Sequence, residues 1–209
     1  MSDVKVFKSK RFVTETFTAI FPKLNAPDEK YGGYSVLRDV LGDPQFEETL
    51  KAQAAETLVA GQKKLGTDKV PTNSMFRDGV YKDNDGGETP TRRVTFKMAD
   101  SRKVKGSTVA QKPRLVDAKR QPVTDQIWGG SEIKVAYFFQ YTILQTGACY
   151  LSVKLDAVQV IKLVTSGGVV AIDDMFGEED GFETKAEEVV VPNNSPAVET
   201  EGPANGSDF

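Results

Sequence analysis

Two segments of the chain alternate between apolar and polar positions over most of their length. From Glu132 to Leu144, the residues Ile133, Val135, Tyr137, Phe139, Tyr141 and Ile143 occupy every second place. A period of two puts them on one face of a strand. The other face then carries Lys134, Ala136, Phe138, Gln140 and Thr142. Tyr150 to Val164 repeats the pattern, with Leu151, Val153 and Leu155 inward and Tyr150, Ser152, Lys154 and Asp156 outward. Gln145 to Ala148, with Gly147, is short enough to join the two as a hairpin. Three weaker runs of β-branched and aromatic residues predict further strands: Phe12 to Phe21, ending at Pro22, then Tyr34 to Leu41 and Arg92 to Ala99. Val169 to Ile172 reads as a last short strand.

One segment changes period. Phe46, Leu50, Ala54, Leu58 and Leu65 recur at mostly helical spacing. Asp43 is a good cap, Pro44 suits a first helical turn, and Gly66 can end the helix. A helix from Asp43 to Leu65 is therefore expected, inserted between strands. Thr67 to Thr91 reads as a loop turning at Asp83-Asn84-Asp85-Gly86-Gly87. The pattern predicts a mainly β domain over residues 1–172. Beyond it, Pro192 to Ser207 is polar and proline-containing, so residues 173–209 are expected to form a disordered tail.

Charge sharpens this division. The 209 residues carry a formal net charge of −3. From Asp173 onward there are eleven acidic residues and one base, a balance of −10; the rest holds 26 bases and 19 acids, a balance of +7. A basic body with an acidic tail points to a polyanionic partner. The bases are densest between Thr91 and Arg120: Arg92, Arg93, Lys97, Arg102, Lys103, Lys105, Lys112, Arg114, Lys119 and Arg120, against Asp100 and Asp117 alone. Such density favours phosphate contacts with release of counterions, though a solvated loop would look the same. The outer hairpin face adds Phe138 and Tyr150 beside Lys134 and Lys154, and Trp128 precedes it. Rings interleaved with bases suit single-stranded nucleic acid, because each base offers a face to stack on. The competing interpretation covers Phe138 with the helix or a partner subunit. Single-stranded and duplex DNA are not ranked by these features.

Other chemistry finds little support. Cys149 is the only cysteine and there is no histidine, so zinc and histidine acid–base catalysis are disfavoured. Asp83 and Asp85 resemble the start of a calcium loop without its later glutamate. No phosphate loop or nucleophile motif appears, and no cofactor is implied. There is no 18-residue apolar run to cross a membrane, and Met1 to Phe12 lacks the apolar core of a signal peptide. A metal-dependent nuclease or a non-catalytic protein-interaction module are the alternatives to DNA binding.

The chain resembles the single-stranded DNA-binding proteins of tailed bacteriophages. The resemblance rests on the order of short pieces: Phe21-Pro22, Tyr34-Ser35-Val36-Leu37, the helical insertion, Arg77-Asp78-Gly79 and Arg114-Leu115-Val116-Asp117. It continues through Trp128-Gly129-Gly130-Ser131, Leu155 to Val160, and Asp208-Phe209. It implies a five-stranded barrel of the OB type and binding of single-stranded DNA in phage replication, recombination and repair. It further implies the cytoplasm of a bacterial host, often dimers, and a tail that meets replication proteins such as a DNA polymerase. Asp208 and Phe209 would be the partner-binding end of that tail. The DNA-binding candidates are Arg92, Arg93, Lys97, Arg102, Lys103, Lys105, Lys112, Arg114, Trp128, Lys134, Phe138, Tyr150 and Lys154. The tail's acids are spread along it rather than massed at its end, unlike the family's pattern.

Overall fold

A computed structural model describes residues 4–82, 87–104 and 106–164, all within the unit Met1–Val169. The expected tail, with Asp208 and Phe209, lies outside the described residues, as do Lys105 and the strand expected at Val169 to Ile172.

The hairpin is the backbone of the fold. β11 (Glu132–Ile143) and β12 (Cys149–Lys162) pair antiparallel, with Gly147 at φ +86° in the turn. Their inner faces alternate as the sequence pattern requires: Ile133, Val135, Tyr137, Phe139 and Tyr141 are essentially inaccessible. The ladder shifts register beyond Ala136, where Ala136 faces Ala157 and Tyr137 faces Leu155. Asp156 is the extra residue of this bulge, a local kink that re-aims a side chain.

A second group of strands comes from the first half of the chain. β5 (Tyr34–Asp39) pairs antiparallel with β7 (Glu88–Met98), and β4 (Ile20–Lys23) pairs with β5. β7 joins the hairpin by parallel pairing with β12, Lys97 opposite Lys154. β1 (Lys5–Lys8), β2 (Phe12–Val13) and β3 (Phe17–Thr18) lie along β11. β6 (Phe76–Lys82) extends β7 into a long ribbon, and β10 (Arg114–Val116) runs parallel to the far half of β12. β8 (Ser101–Val104) and β9 (Ser107–Ala110) form a separate small hairpin.

The described sheet is thus mixed and ten-stranded, with the path β1-β11-β12-β7-β5-β4, and it is not the simple closed five-stranded barrel expected. The expected first strand is broken into β2, β3 and β4, and runs past Pro22 to Lys23. It leaves β11 after Thr18 and joins β5 from Ile20, so one segment serves two partners. The loop expected from Thr67 to Thr91 holds β6 and the start of β7. Apart from buried Phe76 and Thr91, those residues face solvent on both sides, so no apolar period marked them.

The helix matches its signals. α1 spans Pro44–Leu65; the Asp43 carboxylate accepts from the Phe46 N–H at 3.0 Å, and Gly66 closes the end in the left-handed region. Such a cap contributes about 1 kcal/mol. Asp43 also pairs with buried Arg38 on β5, whose guanidinium lies 3.6 Å from the Phe46 ring centre and 5.0 Å from that of Phe17. The helix start is thereby pinned to the sheet. Further along, Gln53 accepts from the Tyr137 hydroxyl at 2.8 Å. Burial pushes that phenol's pKa up to about 12. The helix covers the Tyr137 and Tyr141 face of β11, which leaves the Phe138 face to other use.

Helix and sheet meet most closely at Gly61. A β-carbon there would stand 2.9 Å from Tyr141 Cδ1 and 3.1 Å from Phe7 Cδ1. Tyr141 is held by its hydroxyl, which donates to the Lys69 carbonyl at 2.7 Å. Gly61→Ala is expected to destabilise by about 1–3 kcal/mol from overpacking, outweighing alanine's helix preference of about 1 kcal/mol. Urea unfolding of the two proteins checks this.

Candidate nucleic-acid interface

Alternation on β11 and β12 puts Phe138 and Lys154 opposite each other on the outer face. The β7–β12 pairing sets Lys97 beside Lys154, and the β5–β7 ladder sets Ser35 beside Lys97. β4 then sets Lys23 beside Ser35. One row thus crosses the sheet from an aromatic ring through two adjacent lysines to a third. Lys8 on β1 stands above this row, its ammonium 5.4 Å from the Phe138 ring centre.

The row floors a groove. A hollow of about 560 Å³ is lined by Phe138, Lys154, Lys97, Arg102, Lys8, Lys10 and Arg11. The next, about 420 Å³, shares Lys97, Met98, Ala99 and Lys154 with it and adds Tyr31. A third, about 380 Å³, shares Asp28 with the second and carries Lys23 and Lys30. Together they form a channel over several strands, with Phe138 toward one end and Tyr31 toward the other.

Both walls are held by specific local chemistry. The loop bearing Tyr31 turns on Asp28, whose carboxylate accepts from the Tyr31 N–H at 2.8 Å and the Lys30 N–H at 3.0 Å. The Tyr31 bond chiefly lowers the Asp28 pKa. Gly33 lets this loop press on β7, since a β-carbon there would fall 2.6 Å from the Met98 carbonyl oxygen. The loop displays Tyr31, 80% exposed, with the Lys30 ammonium 5.1 Å from its ring centre. On the other wall Gln111 ties the base of the β8–β9 hairpin, bonding Ala99 and Asp100 carbonyls at 2.7 Å. That places Arg102 at the rim.

The charge in the channel is poorly neutralised. Arg11 pairs with Asp156 at 2.7 Å, and Lys10 reaches Glu56 at 3.6 Å. Among the described residues Lys8, Lys97, Arg102 and Lys154 make no ion pair. Desolvation lowers the Lys154 pKa, and the charges of Lys97 and Lys8 lower it further. A polyanion would relieve that repulsion.

The structure gathers four of the expected candidates, Lys97, Arg102, Phe138 and Lys154, into one hollow. It places others elsewhere. Arg92 is committed to Asp78 at 2.8 Å and Glu47 at 3.1 Å and stacks toward Phe76 at 5.1 Å, so it braces β6 and α1. Arg93 lies four residues from Lys97 along β7, about 13 Å away at the usual strand rise. Lys134 and Tyr150 share the outer face, each four residues from Phe138 or Lys154 along its own strand. Lys103 and Lys112 are exposed near the rim, and Arg114 reaches Asp156 at 3.8 Å. Trp128 follows the buried Ile127 in the loop before β11 and does not line the hollow of Phe138. Phe138 itself is half-buried in the channel and is not under the helix.

Lys8, Lys10, Arg11, Lys23 and Tyr31 escaped the sequence reading. Lys8, Lys10 and Arg11 sit beside Phe7 and Phe12, the same interleaving of base and ring that marked the hairpin. Nothing in the local sequence connects Tyr31 to Lys97. Among the described residues no group of three or more carboxylates or thiols is placed to hold a metal.

No protein-family model matches the chain, and no curated protein sequence matches it either. Among solved structures, gp2.5, a single-stranded DNA-binding protein encoded by bacteriophage T7, has the same fold. It is 22% identical, with 84% of this chain and 98% of that one covered at a TM-score of 0.54. The C-terminally truncated single-stranded DNA-binding protein from bacteriophage Enc34 is 12% identical. There 73% and 85% of the two chains are covered, at a TM-score of 0.46 that is too loose to argue from.

The crowded lysine carries a pH signature. Its pKa is lowered from 10.5 in the folded state, so between the two values the unfolded chain binds more protons. Stability contributed by this group therefore rises as pH increases through that window. The Tyr137 phenol acts oppositely above its usual value of 10.0, because the folded protein keeps its proton up to about 12. Replacing Lys154 by glutamine is expected to remove the rise below pH 10.0 and leave the fall above it; melting temperatures across this range measure both.

Proposed function

We propose that this protein binds single-stranded DNA along the channel between Phe138 and Tyr31. The observation that carries the proposal is the row Phe138–Lys154–Lys97–Ser35–Lys23, with lysines on its floor that make no ion pair among the described residues and an aromatic ring near each end. The lysines, with Lys8 and Arg102, neutralise phosphates, while Phe138 and Tyr31 offer faces for unstacked bases. A ring inside a groove cannot reach a base within an intact duplex stack, which favours the single strand. The fold shared with the T7 protein supports the same reading. The connectivity also supports an OB-type arrangement of strands at the heart of the sheet, short of a closed barrel: β5 and β7 antiparallel, β7 and β12 parallel, β12 and β11 antiparallel, and the β3–β4 segment touching both β11 and β5.

The role is non-catalytic: coating and protecting exposed strands in phage replication, recombination and repair, in the cytoplasm of a bacterial host. The tail, with its balance of −10 against the body's +7, competes with DNA for the basic channel and salt screens the competition. Displaced by DNA, it presents Asp208 and Phe209 to a replication protein such as a polymerase. Homodimers fit this role.

Titration of fluorescent oligothymidine against a duplex of equal length tests the central claim. Preferential binding of the single strand is expected, and equal or stronger duplex binding would overturn it. With about five phosphates neutralised at a slope of about −0.7 each, affinity should fall about a hundredfold between 50 and 200 mM salt. Phe138→Ala should cost about 1–3 kcal/mol of binding. Unchanged affinity would return Phe138 to a packing role.

Deleting residues 174–209 should tighten DNA binding at low salt, with the gain shrinking as salt is added. A truncated chain that binds no more tightly would exclude competition by the tail.

A further inference from the structure

A second cleft lies on the same face, where β6 and β7 run out beyond β5. Register puts Arg77 opposite Arg93, Gly79 opposite Thr91 and Tyr81 opposite Thr89. Period two places these six on one side of the ribbon. Across from them stands Phe21 of β4. Of these, Tyr81, Thr89, Thr91 and Arg93 bound, with Phe21, a mostly apolar cleft of about 410 Å³, with Asp39 and the Gly129-Gly130 backbone at its edge and Arg77 beside it on the ribbon.

Three features of this cleft have no use in the packing of the fold. Phe21 is 56% exposed and has φ +44°. A bulky residue in the left-handed region is strained, and such strain persists where something else requires the side chain's position. Here it aims an exposed ring toward Arg93, whose guanidinium is 6.0 Å from the ring centre. Second, Thr91 is 7% exposed and its hydroxyl has no hydrogen-bond partner; the buried Arg93 Nε has none either. Leaving such groups unpaired costs their desolvation with no hydrogen bond in return, so a donor or acceptor is wanted at this floor. Third, Arg77 and Arg93 face each other across the ladder as like charges, a pairing that destabilises a sheet until an anion neutralises it.

Ring, hydroxyl and paired guanidinium groups together match one chemistry. We propose that the cleft is a second nucleotide-binding site, taking one unstacked base between Phe21 and Tyr81 and its phosphate on Arg77 and Arg93. Thr91 Oγ1 and Arg93 Nε, both covered in the free protein, are the unpartnered polar atoms that the base's edge would meet at this floor. This inference rests on the single-strand reading, and extends it. Arg93 lies about 13 Å from Lys97 along β7, within reach of a few linked nucleotides. A strand long enough to leave the lysine row occupies both sites; a short one occupies the row alone.

The test uses the full chain, oligothymidines of about 6 and about 16 nucleotides, and the longer one carrying 5-iododeoxyuridine for photocrosslinking. Phe21→Leu and Tyr81→Leu should each weaken the longer oligonucleotide about tenfold, the size of one stacked base, and leave the shorter one unchanged. Crosslinks in the unaltered protein should map to Phe21 or Tyr81. The inference is overturned if both variants bind the longer strand normally, or if crosslinks avoid both rings. Should a variant lose both oligonucleotides through misfolding, the crosslink decides. If the unaltered protein binds neither strand, the single-strand reading itself fails; if it binds both and only the variants are silent, the second site alone fails.

Discussion

The parallel contact between β7 and β12 is the constraint on which this molecule turns. It joins a sheet built from the first half of the chain to a hairpin built from the second. It does so with Lys97 directly beside Lys154. Like charges in that relation oppose pairing. What holds them together lies on the other side of the same strands. Phe96 packs 5.2 Å from Tyr137, ring centre to ring centre, while Val153 and Leu155 are buried beneath the lysines. Burial of that apolar surface, about 1.5–3 kcal/mol for each large side chain, exceeds the repulsion of two partly solvated ammonium groups. The inner face thus stabilises a contact that the outer face alone would break.

That division recurs through the structure. Asp43 caps the helix and holds Arg38, and Arg38 stacks on Phe17 and Phe46, so sheet and helix cannot slide. Gly33 and Asp28 fix the Tyr31 loop on the end of β7. The rigid parts all sit inward or at the loop bases. The rings and cations that could meet a strand stand on the outer face, where Lys8, Lys97, Arg102 and Lys154 make no ion pair among the described residues. A surface whose charges repel in the free protein would gain if a polyanion arrived.

Much of this could be read in the chain. The hairpin's period of two put Phe138, Lys154 and Asp156 outward, and the buried Tyr137 and Phe139 confirm the register. The helix boundaries followed from Asp43, Pro44 and Gly66. Arg92 shows the opposite case. Its place in a dense basic stretch suggested phosphate contact, but Asp78 and Glu47 meet it from two other elements. Those carboxylates are 14 and 45 positions away, a separation over which local charge counts say nothing.

β6 was missed because, past the buried Phe76, both its faces are wet, so no periodicity distinguishes it from a loop. The channel was missed in part because its floor is assembled across strands: Lys8, Lys23 and Lys97 become neighbours only when β1, β4 and β7 take their places. The amino-acid sequence by itself determined what each strand and helix turns inward and outward, since side-chain direction follows from backbone period. Which outward residues share a site was decided by tertiary structure alone, because strand order and register depend on burying a common core.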